Sequence, residues 1–172
     1  GDPDVETSLA VMKGLPGAKE VFSSAQIPGE ILDLLVVDTA TLKANPNLGK
    51  ALAGIWYETV TLMKQQDAKG KEARAAMAKL AGATPENFDS QLTTTFLYAD
   101  PKAAVAATTS PQLMTTMKLV RDFSFSKGLF KGAASADAVG IGFPGGKTLG
   151  DPAHVTLRFD ESFMQLAADG KL

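Results

Sequence analysis

The stretch GIGFPGGKTLGD, Gly140 to Asp151, matches G-x-G-x-x-G at Gly140, Gly142 and Gly145. It continues into Gly146-Lys147-Thr148, the tail of a phosphate loop. A nucleotide-binding α/β fold would follow if the pattern stood between a strand and a helix, because the pyrophosphate rests on that helix's N-terminus. The context fails. Pro144 lies inside the pattern, Gly150 follows it, and no helix start is encoded before Asp160. A phosphate loop also needs glycine five residues before Gly146, where Ile141 stands. Residues 131–152 therefore read as a Gly-, Ala- and Pro-rich loop, and nucleotide binding is not expected.

Working outward, the segments on either side carry the fold. Val155 to Phe159 reads as a strand, and Asp160 caps a last helix ending at Gly170. Upstream, Asn45-Pro46, Thr84-Pro85, Asp100-Pro101 and Ser110-Pro111 each pair a capping side chain with proline, the residue suited to a first helical position. They predict helices over about 46–66, 85–92, 101–108 and 111–127. Leu48, Leu52, Ile55, Thr59, Leu62 and Met63 make an apolar stripe on the first, with Trp56 packed in the core. Leu113, Met117 and Val120 point inward on the last, which Gly128 stops. Lys71 to Ala81 is a further helix stopped by Gly82, with Lys69 to Glu72 as a solvated linker before and at its start.

Ile31 to Val37, ILDLLVV, reads as an inner strand buried on both faces. Ala18 to Phe22 and Thr93 to Tyr98 read as shorter strands. Residues 1–12 show no period. The fold class is α/β, helix-rich with few strands.

The chain has 172 residues, a net charge of −2 and a pI near 5.4. No basic field exists to hold a nucleic-acid backbone, so no nucleic acid is expected. No apolar run approaches the ~20 residues that cross a bilayer. Cys is absent and His154 is the only histidine, which excludes thiol catalysis, disulfides and H-E-x-x-H zinc sites. No metal or cofactor is expected. His154, after Asp151-Pro152, reads as exposed and non-catalytic.

Asp33 sits inside an apolar run, and a buried carboxylate needs a partner. It caps a neighbouring backbone or meets a lysine; or, with Glu30, it lines a cleft at a strand end and holds a cationic or amide-bearing ligand. Tyr98 and Asp100, at a strand–helix corner, offer a second aromatic–carboxylate pair. The ligand-binding candidates are Glu30, Asp33, Tyr98 and Asp100. No nucleophile–base set is visible, so no catalytic residue is assigned and the chain is not read as an enzyme.

Several stretches then resemble a known family: Pro16-Gly17-Ala18-Lys19-Glu20-Val21-Phe22, Gln26 to Val37, Asn45-Pro46 with the Trp56 helix, Phe96 to Pro101, Gly140 to Pro144 and Asp169 to Leu172. As running text over about residues 15–172 they resemble periplasmic solute-binding proteins of ABC importers. The type is nitrate/sulfonate/taurine, and the branch is the urea-carboxylase-associated (urea or guanidine) one. The resemblance implies a type II periplasmic-binding-protein fold, two α/β lobes clamping a small ligand, in the periplasm beside an ABC permease.

It covers only the C-terminal half of such a protein. Residues 1–92 correspond to the later part of the second lobe with crossover helices, and 93–172 to the segment returning to the first lobe. The Trp and Asn-Pro that the family usually carries before the PGAKEVF-like stretch are absent from Val5 to Gly14. A half-chain leaves sheet edges and apolar faces uncovered. The implied partners are therefore a small-molecule ligand, the permease, and the missing N-terminal half or a second copy of the chain, swapped or as a tight homodimer. Glu30 and Asp33 would suit a guanidinium. Two alternatives stay open: an enzyme of pyrimidine-precursor synthesis on the same fold, disfavoured by the single His154, or an oligomeric scaffold that has lost its pocket.

Overall fold

The structure, a computed structural model, describes residues 12–172; the unperiodic start falls almost wholly outside them. The chain divides into two compact units. A helix unit holds Ile55–Ala99 with the described part of residues 1–31, and a sheet unit holds Leu32–Gly54 with Asp100–Leu172.

Seven helices and three strands carry the argument: α1 Thr39–Ala44, α2 Pro46–Lys64, α3 Ala68–Leu80, α4 Pro85–Thr94, α5 Pro101–Thr109, α6 Pro111–Ser126, β1 Gly140–Phe143, β2 Lys147–Leu149, β3 Val155–Arg158 and α7 Ser162–Ala168. The fold is α/β, helix-rich with a small mixed sheet.

All four Xaa-Pro pairs start helices at their proline. Three cap as the sequence predicts: Thr84 Oγ1 accepts from the Asn87 N–H at 3.2 Å, Asp100 Oδ1 from Lys102 at 3.0 Å, and Ser110 Oγ from Gln112 at 3.1 Å. Asn45 does something else. Its backbone N–H and its Nδ2 both donate to the Thr41 carbonyl, so it closes α1 instead of opening α2. α1 itself escaped the sequence reading, although Asp38 marks it by accepting from the Thr41 N–H at 2.8 Å. The predicted glycine stops hold. At Gly82, φ is +68°, its N–H reaches the Lys79 carbonyl, and Ala83 N–H reaches Ala78, the paired bonds of a Schellman motif. Gly128 and Gly170 end α6 and α7 with the same bond pattern.

In the helix unit α3 packs on α4. Lys69 to Glu72, read as solvated linker, is the first turn of α3, capped by Asp67 Oδ1 accepting from Gly70 N–H at 2.9 Å. Gly70 is buried, and it is glycine because a Cβ there would collide with the Gln65 carbonyl oxygen. On α2 the expected stripe is half-buried except Ile55, which is exposed, and the fully buried residue is Val60. Trp56 is exposed rather than packed in the core.

In the sheet unit β1 is central, antiparallel to β2 and parallel to β3. Ile141 and Phe143 face Met117 of α6, and Leu32, Leu113, Met114, Leu149, Leu157 and Phe159 pack around them. The Phe143 and Phe159 rings stack at 5.5 Å. Val120, expected inward, is exposed, while Thr116 and Arg121 are buried on α6.

The loop expected over residues 131–152 is therefore a correction: it contains two of the three strands. Ile141 and Phe143 alternate with Gly140 and Gly142, a period of two. Pro144, Gly145 and Gly146 turn the chain, with φ +75° at both glycines, and Lys147 then pairs with Phe143. Gly140 is glycine because a Cβ would collide with the Asp151 carbonyl oxygen. Glycines that looked like a phosphate cradle serve strand packing and a turn.

The other strand readings are corrected too. Ile31 to Val37 carries no strand pairing, and Ile31, Leu34, Leu35 and Val36 are exposed; Leu32 alone reaches the core cluster. A strand needs a neighbour for its N–H and C=O groups, and none lies beside this segment among the described residues. Ala18 to Phe22 is likewise unpaired, and Thr93 to Tyr98 begins as the end of α4 and continues without ladder bonds.

Candidate functional site

The four candidate ligand residues fall two to each unit. In the helix unit, Glu30 is exposed and closes a turn through its N–H to the Ile27 carbonyl at 3.2 Å. Tyr98 is half-buried, its ring edge-to-face with Phe96 at 4.9 Å. In the sheet unit, Asp100 is committed to capping α5. Asp33 is exposed, which corrects the buried carboxylate the apolar run implied: with no covering strand, neither face of the segment is sealed. Neither Glu30 nor Asp33 forms an ion pair among the described residues. Within each unit no hydrogen bond joins its two candidates.

His154 is exposed as expected, and its Nδ1 lies 2.6 Å from Asp151 Oδ2. That hydrogen bond, and a second from the Ala153 N–H, hold the Asp151 carboxyl below the usual aspartate range. No hydroxyl is hydrogen-bonded to the imidazole among the described residues. The pair acts locally: Asp151 N–H donates to the Asp137 carbonyl and Gly140 N–H to the His154 carbonyl, which seats the end of the β2–β3 connection against the start of β1.

The sheet unit also holds a groove of about 340 Å3 between the first turns of α6 and the β1–β2 hairpin. Its floor is Met114, Phe143 and Leu149, and Lys118 and Lys147 stand along it. Lys118 pairs with Asp122 one turn along α6. Lys147 has no carboxylate partner among the described residues. A loop over residues 131–152 would leave this groove without its hairpin wall. The available signal was the alternation of Ile141 with Phe143 across a Pro-Gly-Gly turn from Leu149, which puts Lys147 on the same sheet face.

Each unit buries one arginine. Arg74 on α3 is 7% exposed; its Nε donates to Asp89 Oδ1 at 2.8 Å, and its Nη1 to the carbonyls of Met63 at 2.8 Å and Gln65 at 2.6 Å. It thereby satisfies carbonyls left open at the end of α2. Arg121 on α6 is 6% exposed and bonds only carboxylates, Asp122 through Nε and Nη2 and Asp137 through Nη1 at 2.9 Å. Each guanidinium spends three of its five N–H donors on these partners. Among the described residues no three His, Asp or Glu side chains gather as a metal site, and no helix is long and apolar enough to cross a membrane. No protein-family model matches the chain, and no curated protein and no solved structure matches it.

Proposed function

We propose that the chain is part of the solute-binding component of an ABC importer for a small nitrogenous compound of the urea or guanidine kind, non-enzymatic and working in the periplasm beside a permease. It would act with a further polypeptide that supplies the facing lobe, either the N-terminal half or a second copy. The support lies in the running-text resemblance and in one observation, the state of Ile31 to Val37. This segment has the composition of an inner strand, yet it is unpaired, and Leu35 and Val36 are 63% and 69% exposed. A partner sheet would supply its missing hydrogen bonds and cover both faces. Asp33 lies within the same segment and has no counter-ion among the described residues, which leaves its carboxylate available to a guanidinium or amide N–H.

Light scattering behind a sizing column tests the partner. The expected result is a species larger than one chain, which Leu35→Asp returns to a single chain; a lone monomer with a cooperative melt would end the proposal of a recruited partner. Calorimetric titration with guanidine, urea, nitrate and taurine tests the ligand. Heat with guanidine that vanishes in Asp33→Asn is the expected result. Heat with none of the four, from protein shown to be folded and partnered, would count against solute binding.

A further inference from the structure

We propose that the groove between α6 and the β1–β2 hairpin binds a small organic anion, with the oxyanion head at Lys147 Nζ and a short apolar body against Met114, Phe143 and Leu149. The inference is independent of the importer reading, because the groove is lined by none of Glu30, Asp33 or the Ile31 to Val37 segment.

Strand register places Lys147. The register sets Ile141 opposite Leu149 and Phe143 opposite Lys147, and side chains two apart on a strand share a face. Lys147 therefore ends the row that packs on Met117, where the alternation calls for an apolar residue. The row runs out at the groove, and the ammonium stands there beside an apolar floor with no carboxylate partner among the described residues. A cation so placed gains from an anion that brings its own apolar surface.

The sign of the lining suits an anion as well. Among the described residues, Lys118 and Lys147 are the only charged ones along the groove, and no carboxylate lines it. Asp122 neutralises Lys118, which leaves one uncompensated positive charge, fitting a monoanion. The dipole end of α6 is not the basis. Pro111 has no N–H, and the Gln112 N–H is taken by Ser110 Oγ. That bond uses a lone pair of the hydroxyl and leaves its O–H free to donate into the groove. Size sets the body of the ligand: about 340 Å3 holds on the order of ten heavy atoms at ~30 Å3 each. A carboxylate or sulfonate on a short aliphatic or single-ring body fits those terms.

Methyl-region NMR of the intact chain tests it, with butyrate and butane-1-sulfonate as probes and n-butanol and inorganic phosphate as controls. Both probes are expected to move the Met114 and Leu149 methyl signals saturably. Lys147→Gln is expected to weaken them at least tenfold and Lys147→Arg to retain them. Lys147 is exposed, so these variants keep the fold, and the amide spectrum checks that. Three results would overturn the proposal: no saturable shift with either probe; n-butanol binding as well as butyrate and indifferent to Lys147→Gln, an apolar crevice only; or phosphate matching the organic anions, surface screening of a lysine only.

Discussion

The two buried arginines do similar work with different partners, and the difference shows how each unit is held. Arg74 closes the helix unit by donating to two backbone carbonyls at the end of α2 and to Asp89. A cation at a helix C-terminus meets the negative end of the dipole as well as orphan acceptors. Arg121 fastens α6 to the approach to β1 through Asp122 and Asp137, whose side chains are accessible to water. Remove Arg74, and partly buried carbonyls lose their donor. Remove Arg121, and two carboxylates are left that water can solvate.

The largest expected effect follows from that contrast. Arg74→Met keeps most of the stem and leaves the carbonyls unsatisfied, so it should cost about 3 kcal/mol. Arg121→Met should cost about half as much, since solvent replaces the lost bonds. Denaturant titration followed by circular dichroism ranks the two. Trp56, the only tryptophan and a helix-unit residue, adds a local reading of the first. An equal or reversed order would break the comparison.

Glycines sharpen it next. Gly70 in the helix unit and Gly140 in the sheet unit both face a backbone carbonyl that cannot swing away. Alanine at either should cost roughly 2 kcal/mol by overpacking. Gly49, on α2, faces only the Phe163 ring, a side chain that can turn. Gly49→Ala should therefore be the mildest of the three. Thermal melts of the three variants check the order, and a Gly49 variant as damaging as the other two would show that Phe163 is held in place.

The helix caps carry a smaller difference of the same kind. Thr84→Ala in the helix unit and Ser110→Ala in the sheet unit each remove a side-chain acceptor at a helix start and should cost about 1 kcal/mol. Asn45→Ala removes a donor to Thr41 while the backbone N–H still reaches the same carbonyl. Its cost should be only a few tenths of a kcal/mol. A full-sized loss there would mean that Asn45 also caps α2.

These contrasts explain what could be read in the sequence. A cap, a proline at the first position and a glycine stop act within a few residues, so helix starts and ends were legible at Thr84, Asp100, Ser110, Gly82 and Gly128. A strand is defined by a neighbour. ILDLLVV has every strand preference and no partner, whereas GIGF has two glycines and sits between two strands. Glycine content hid the period of two that Ile141 and Phe143 display. Of the site, the division of the four candidates between units, and the groove at Lys147, depend on tertiary placement that local pattern does not encode.

Acid response is the smallest effect and is specific to a place. Four sheet-unit aspartates are held below their ordinary range: Asp38 chiefly by the Thr41 N–H, Asp122 chiefly by Lys118, Asp151 chiefly by His154, and Asp169 chiefly by Lys171. A carboxyl depressed in the folded state contributes stability that is fully present above its unfolded value, about 3.9, and is lost as pH falls through the lower folded value. The sheet unit should therefore hold its stability down to about pH 4 and soften below it. All four groups are solvent-accessible, so the change should be gradual. Asp38→Asn isolates one contribution. Asparagine caps a helix as well as aspartate does but does not titrate, so α1 should be unchanged at pH 7 and its acid limb flattened. Exchange protection of the Thr41 amide between pH 5 and pH 2.5, corrected for intrinsic rate, reads this directly. Identical acid limbs in the parent and the variant would mean that the Asp38 charge contributes nothing beyond the hydrogen bond it accepts.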